Sequence, residues 1–499
     1  MYLNDLLLQT GLIEKPLPYT YGQLKVQAIK ADSRTVEPFD VFVSTPCPMA
    51  IDYIVDVLSK GCRVIVTESE LADHPLFQKH DALVITHSNP RIALAKLSAV
   101  FYGDSPKHSV AVTGTNGKSS TVQYVRQFWE GINIPCASVG TLGLSLSNNI
   151  DANIINEFIP IMNGASLTTL DSVRLHQLMH GLKTHNIDHL AFEASSHGLD
   201  QYRIHGVSLK AAAFTNLTQD HLDYHQTMDD YFHAKARLFT DILADGMTAV
   251  INKDSPYFKQ LSDICAKKNQ RIISFSRLTN ATLFVKNCRI EGQAQIFDLH
   301  TNNEIFPNIR INISGDFQIE NVLAALGLVL ASGATIQECL PTFTNLTCAT
   351  GRLERVATHN GAHFYVDYAH TPDALEKALT NLRPFSSGKL WVLFGCGGNR
   401  DTGKRQLMGK ISASLADTCI VTDDNPRFED PAAIRSEILK TCTHAIEIGN
   451  RRDAITYALQ HAQAGDVVLI AGKGHEQGQI IGNITFPFDD REEILSIAK

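Results

Sequence analysis

Ser109-Val-Ala-Val-Thr113 leads without a break into Gly114-Thr-Asn-Gly-Lys-Ser119. The first five residues read as a buried strand, the two glycines as a turn, and Lys118-Ser119 as the start of a helix. In that context backbone N–H groups and the positive end of the helix can wrap a triphosphate, Lys118 can neutralise it, and the Ser119 hydroxyl can hold a divalent cation. The common form of this loop has a glycine six residues before the lysine, where this chain has Val112. On this stretch alone, a plain strand-to-helix turn with an exposed lysine stays open.

On either side of the loop, short apolar runs alternate with helix-like segments, the pattern of parallel sheets covered by helices and hence of an α/β chain. The runs include Ser109 to Thr113, His189 to Glu193, Ala211 to Asn216, Leu390 to Phe394, Cys419 to Thr422 and Val467 to Ala471. Breakers at Tyr102-Gly103-Asp104-Ser105-Pro106, and the stretch Pro341 to Gly351, divide them into three groups: 1–104, 105–346 and 347–499. Downstream of the loop, Ala191 to Leu199 and Thr215 to His225 each begin apolar and end polar. That places Glu193 and His221 at the carboxyl edge of one parallel sheet, where ligands bind in such folds. Taken singly, either residue reads as a cap or a packed polar group; together, after strands downstream of the loop, they point to a metal and phosphate site.

Composition narrows the class. The 499 residues are 44% hydrophobic and 19% charged, enough for several cores, and the net charge of -8 offers no broad basic surface for nucleic acid. Ten cysteines show no CxxC pair, so the sequence suggests neither a zinc site nor a disulfide framework. Asp5 and the lack of a basic leader argue against a signal peptide, and the apolar run Val322 to Ala331 is short and broken by Gly327. A cytoplasmic chain without membrane insertion is expected.

Further segments make a resemblance specific. Gly114 to Ser119, Glu193 to Leu199 and Asp220-His-Leu-Asp-Tyr-His225 together resemble the Mur ligases. Gly351-Arg-Leu-Glu-Arg355, Val366-Asp-Tyr-Ala-His-Thr-Pro372, Phe394 to Asp401, Asp424-Asn-Pro-Arg427 and Gly472-Lys-Gly-His-Glu476 resemble the branch that adds the third residue of the peptidoglycan stem peptide. The resemblance implies a UDP-binding N-terminal domain, a central phosphate-loop ATPase domain and a C-terminal doubly wound domain. It also implies ATP- and Mg2+-dependent ligation of meso-2,6-diaminopimelate to UDP-N-acetylmuramoyl-L-alanyl-D-glutamate through an acyl phosphate, by a monomer.

Residue by residue, the resemblance makes Lys118, Glu193, His221 and Lys235 catalytic, and Ser119, Glu193, His221 and Lys235 metal ligands, with Lys235 carbamylated. Gly114, Thr115, Asn116, Gly117, Lys118, Ser119, Asn321, Arg352, Asp367 and His370 become nucleotide contacts. Ser33, Thr168, Thr169, Ser195, Gln201 and Arg203 become contacts of the UDP-linked substrate. Arg400, Asp424, Asn425, Pro426, Arg427, Gly472 and Glu476 become contacts of the incoming amino acid. Read without the resemblance, Thr168-Thr169 is a polar loop and Asn321 a helix-surface position. The chain departs from the family pattern at Phe39, Met49-Ala50, Leu170 and Gln318. Other readings are an L-lysine-adding Mur ligase, a folylpolyglutamate-type ligase, and a phosphate-loop switch that hydrolyses ATP without synthesis.

Overall fold

The computed structural model describes residues 1–163 and 167–498. The chain folds into two compact units, Met1–Phe275 with Ala324–Thr335, and Ser276–Leu323 with Ile336–Lys499.

The first unit holds two sheets. Strands Ile29–Lys30, Val41–Val43, Val64–Thr67 and Leu83–Thr86 pair in parallel in chain order. Alternate residues serve opposite faces: Val41, Val43, Val64 and Val66 join Leu3, Leu6 and Leu7 in one core, while Phe42 and Ile65 join Ile54 and Val57 in another. The helix Pro90–Tyr102 follows, started by Asn89, whose side chain accepts from Arg91 N, and stopped at Gly103.

The larger sheet places six parallel strands in the order Arg271–Ser276, Thr248–Asn252, Ala211–Phe214, His108–Thr113, His189–Glu193, Cys136–Gly140, with Gly143–Leu146 antiparallel at the edge. The phosphate-loop strand thus lies between the strands that lead to Glu193 and to His221. Ala211–Phe214 is buried along its whole length, as a parallel strand covered on both faces must be. The returning segment Ala324–Thr335 completes this unit: Ser332 Oγ accepts from the buried Trp129 Nε1 at 3.0 Å, and Gly327 lies against Val250.

In the second unit Leu283–Glu291, Ala294–Thr301 and Ile305–Ile311 form an antiparallel meander, where the strand–helix alternation lapses and much of one strand faces solvent. A six-stranded sheet follows in the order Glu354–His359, Ala362–Asp367, Val467–Ala471, Leu390–Phe394, Thr418–Val421, Ile446–Glu447; only the first pair is antiparallel. Separate cores cover its two faces, one with Leu375, Leu379 and Met408 and the other with Ala454, Ile455 and Ile494, which is the doubly wound arrangement. No helix among the described residues is long and apolar enough to cross a membrane.

The fully buried Arg451 guanidinium meets Asp490 through two bonds of 2.7 and 2.8 Å and donates to Ala471 O at 3.0 Å. Asp490→Ala leaves that charge desolvated and unpaired, which costs roughly 3–5 kcal/mol. Urea unfolding is expected to show a loss of that size, and a loss below about 1 kcal/mol would contradict the role given to the pair.

Candidate functional site

Two glycines let the phosphate loop take its path. Gly117 adopts φ 85° in the left-handed region immediately before the helix Lys118–Gly131, and a side chain at Gly114, at φ 148°, would overlap Thr215. The loop is stapled to the segment after the neighbouring strand. Thr115 N donates to Asn216 O at 2.9 Å, Asn116 N to Asn216 Oδ1 at 3.0 Å, and Thr215 Oγ1 to Asn116 O at 2.6 Å. Lys118 Nζ folds back onto Gly114 O and Thr115 O at 3.0 and 2.9 Å.

Glu193 ends its strand beside this loop, buried. Its Oε1 accepts from Ser119 Oγ and from Thr141 N, both at 2.8 Å, and its Oε2 from Thr141 Oγ1 at 3.3 Å. A carboxylate and a hydroxyl so placed are hard oxygen donors, which suits Mg2+. His221, at φ 52°, is half-exposed; its ring lies 3.6 Å from Asp220 Oδ2 and edge-on to His197 and Tyr231. Strand order therefore brings His221 to the same sheet edge, while its side-chain contacts are with these neighbours rather than with Ser119 or Glu193.

Lys235 comes from the helix Met228–Arg237 and is 1% exposed. Its Nζ donates to Gly114 O at 2.8 Å and sits 4.5 Å from the centre of the Tyr231 ring. Burial, reinforced by the Lys118 cation, holds its pKa well below the ordinary lysine value, against the pull of Asp220. The amine is driven toward its neutral form.

Four of the six proposed contacts for the UDP-linked substrate, with Thr168 tied in through Thr141, form one network. Thr141 Oγ1 lies 3.1 Å from Thr168 Oγ1, and Thr169 Oγ1 donates to Glu193 O at 2.9 Å and accepts from Ser195 N at 2.8 Å. Arg203 reaches Thr169 O and Gln201 Oε1 at 2.9 and 2.6 Å, and Gln201 continues to Tyr224, which donates to Asp200. Ser33 stands apart, in the short turn Ser33–Thr35 of the N-terminal sheet, with its carbonyl on Lys60 Nζ at 2.7 Å.

The second unit assembles two groups. Around Tyr368, the Arg352 guanidinium lies 4.9 Å over the ring, the rings of His370 and His475 lie 4.6 and 5.1 Å away, and Asp367 accepts from Leu353 N and Ala369 N at 2.6 and 2.8 Å. Burial raises the Asp367 pKa, with Arg352 opposing it. Asn321 is 4% exposed rather than on the helix surface, because the helix Asp316–Ala331 is buried nearly all round; its Nδ2 donates to Gln318.

The other group binds Asp424, Asn425, Arg427, Gly472 and Glu476 together. Asn425 donates to Glu476 Oε2 at 3.0 Å, and its Oδ1 accepts from Lys473 Nζ at 3.1 Å and Ile480 N at 3.0 Å. Gly472, at φ 117°, lies against Asp424 Oδ2. Arg427, at φ 52°, follows Pro426 and sends Nη1 to Gly398 O at 3.0 Å. Among the described residues no carboxylate pairs with Arg427 or with the exposed Arg400.

With this geometry, the family models are decisive. One described as the Mur ligase middle domain matches residues 112–329, and one described as Mur ligase, glutamate ligase domain matches residues 351–474. A relative from Agrobacterium fabrum (strain C58 / ATCC 33970), named UDP-N-acetylmuramoyl-L-alanyl-D-glutamate--2,6-diaminopimelate ligase, is 41% identical over 95% of this chain and 94% of its own. This chain belongs to the Mur ligase family. A relative of the same name from Zymomonas mobilis subsp. mobilis (strain ATCC 31821 / ZM4 / CP4) is 43% identical over 93% of each chain. A solved structure described by that ligase name matches with a TM-score of 0.74 at 30% identity, covering 100% of this chain and 99% of its own.

In this Mur ligase, the geometry adds Thr141, Tyr368, Lys473 and His475 to the residues singled out from sequence. The last three lie within quoted motifs; Thr141 is marked only by its place after a strand at the same sheet edge. Lys473 is fully buried and also donates to Gly478 O at 2.6 Å. Lys473→Met leaves that carbonyl and part of Asn425 unsatisfied, a cost of about 1–3 kcal/mol. Hydrogen exchange across Gly478–Ile481, which pairs antiparallel with Ile484–Pro487, is expected to quicken at least about tenfold, and unchanged exchange would show that Lys473 does not hold this hairpin.

Proposed function

We propose that the chain joins meso-2,6-diaminopimelate to UDP-N-acetylmuramoyl-L-alanyl-D-glutamate in an ATP-dependent reaction of peptidoglycan precursor synthesis. The observation that carries this reading is the end-to-end match to ligases of that name, with Arg427 present in the Asp424-Asn-Pro-Arg427 segment. A monomer working in the cytoplasm belongs to the same reading, as do the domains 1–104, 105–346 and 347–499.

The substrate's γ-carboxylate attacks the terminal phosphorus of ATP, giving an acyl phosphate and ADP; the amine of the amino acid then attacks the acyl carbon and expels phosphate. The first step turns a poor electrophile into one with a good leaving group. The loop from Gly114 to Ser119 offers N–H groups at a helix start for the phosphates, and Lys118 would leave its two loop carbonyls to meet them. Mg2+ would be held by Ser119, Glu193, His221 and modified Lys235, and would offset charge on the phosphoryl oxygens. The stack of Arg352 on Tyr368 supports a nucleotide role for Arg352, Asp367 and His370, and the buried amide of Asn321 fits the same role. The linked side chains Thr168, Thr169, Ser195, Gln201 and Arg203 support a dipeptide-binding role, with Ser33 toward the UDP end.

Carbamylation of Lys235 draws support from its depressed pKa: a neutral amine adds to CO2, forms an N–C bond and releases one proton, putting a carboxylate ligand in place of the amine. Wild-type activity is expected to fall on removal of bicarbonate, and Lys235→Ala to be partly rescued by short carboxylic acids. Full activity in CO2-free buffer together with mass spectrometry showing an unmodified Lys235 would overturn the assignment.

Diaminopimelate differs from lysine by a carboxylate at the far end. The Arg427 guanidinium, without a carboxylate partner among the described residues, suits that group, while Asp424 and Glu476 suit the far ammonium. Lysine would leave Arg427 unpaired at a cost of roughly 2–5 kcal/mol. ADP release is measured with the UDP-dipeptide and each amino acid. Release should depend on meso-diaminopimelate, and Arg427→Ala should erase most of its advantage over L-lysine. Equal kcat/KM for the two amino acids in the wild type defeats the specificity, and amino-acid-independent ADP release favours a switch ATPase.

A further inference from the structure

The ligase chemistry leaves one cluster of the second unit unused. Cys419 lies on the strand Thr418–Val421, and Cys442 lies between the helix Pro431–Leu439 and the strand Ile446–Glu447; both thiols are buried. His444 is exposed beside them, and one ligand atom from each of the three residues lies within 4.8 Å of the other two. We propose that Cys419, Cys442 and His444 form a binding site for a soft divalent transition-metal ion such as Zn2+.

The triangle is close to what such an ion needs. Tetrahedral coordination with two thiolates and an imidazole spaces the donors about 3.5–3.8 Å apart, so closure needs only small side-chain shifts. The frame is already set. Cys419 sits in register with Val392 on one side, and its neighbour Ile420 pairs with Ile446 on the other; a turn in which Ala445 N donates to Cys442 O at 3.1 Å carries the other two ligands. Sulfur and imidazole select Zn2+ or Co2+ over the hard Mg2+, which separates this site from Ser119 and Glu193. Binding breaks two S–H bonds, releases both protons to solvent and forms two metal–thiolate bonds, while the imidazole gives a lone pair. The exposed histidine leaves the fourth position for water. A disulfide between the cysteines would use two of the three donors and give His444 no part.

Occupancy would tie the strand that continues into Asp424 and Asn425 to the loop behind the helix Pro431–Leu439. The test uses the full chain, reduced with a phosphine, stripped of metal and titrated with Co2+ alone. One equivalent is expected to produce a thiolate-to-Co(II) charge-transfer band with tetrahedral d–d transitions, displaced by Zn2+ and untouched by excess Mg2+. Cys419→Ser should abolish the band. His444→Ala, at an exposed position that leaves the core intact, should weaken Co2+ binding at least about tenfold. The proposal is overturned if the folded wild type gives no such band, if Cys419→Ser keeps it, which would assign the band to thiols elsewhere such as the exposed Cys47, or if His444→Ala binds Co2+ as the wild type does, which would remove the imidazole from the site.

Discussion

A carboxylate taken out of water at the end of a strand has to be met by donors, or its charge becomes untenable. Glu193 meets this demand with Ser119 Oγ, Thr141 N and Thr141 Oγ1, and its backbone carbonyl separately takes the Thr169 hydroxyl. Both ends of one residue therefore position different parts of the site. The side chain fixes the start of the phosphate-loop helix, and the carbonyl fixes the segment that runs through Ser195 to Arg203. The parallel sheet makes this possible, since its strand ends place Thr113, Glu193 and Gly140 along a single edge.

Two buried lysines show how the same desolvation is put to opposite ends. Lys235 has one carbonyl, an aromatic face and a second cation for company, an environment that favours a neutral amine. Lys473 is equally enclosed and burial lowers its pKa too, but Asn425, Gly478 and Glu476 surround it with oxygen, and Asp424 and Glu476 oppose that shift. The first is an amine held toward its neutral form. The second is a cross-brace for the loops that carry Asp424 to Arg427.

Much of this was legible in the sequence wherever a single physical demand fixed the residue type. Leu390–Phe394 and Val467–Ala471 read as strands because parallel strands covered on both faces admit only apolar side chains, and the structure ends them at those residues. The turn at Gly114 to Gly117 read as a phosphate loop because few other residues allow that backbone. The meander from Leu283 to Ile311 was less legible, since one of its strands, Leu283–Glu291, is largely exposed and its apolar signal is diluted. Thr141 and Tyr368 escaped for another reason: neither side chain announces a role, and each gains one only when the sheet sets its end beside Glu193 or Arg352. Asn321 shows the converse, a polar residue that looks superficial along the chain and is enclosed because its helix is covered on nearly every side.

The first unit is not a continuous stretch of chain. After Phe275 the polypeptide leaves it and returns only with Ala324–Thr335, the segment that supplies Gly327 against Val250 and Ser332 for the Trp129 indole. During synthesis the phosphate loop, Glu193 and Lys235 all emerge well before this segment does. Trp129 therefore lacks this acceptor until the ribosome has made the intervening stretch. No single cut in the gene yields both units whole.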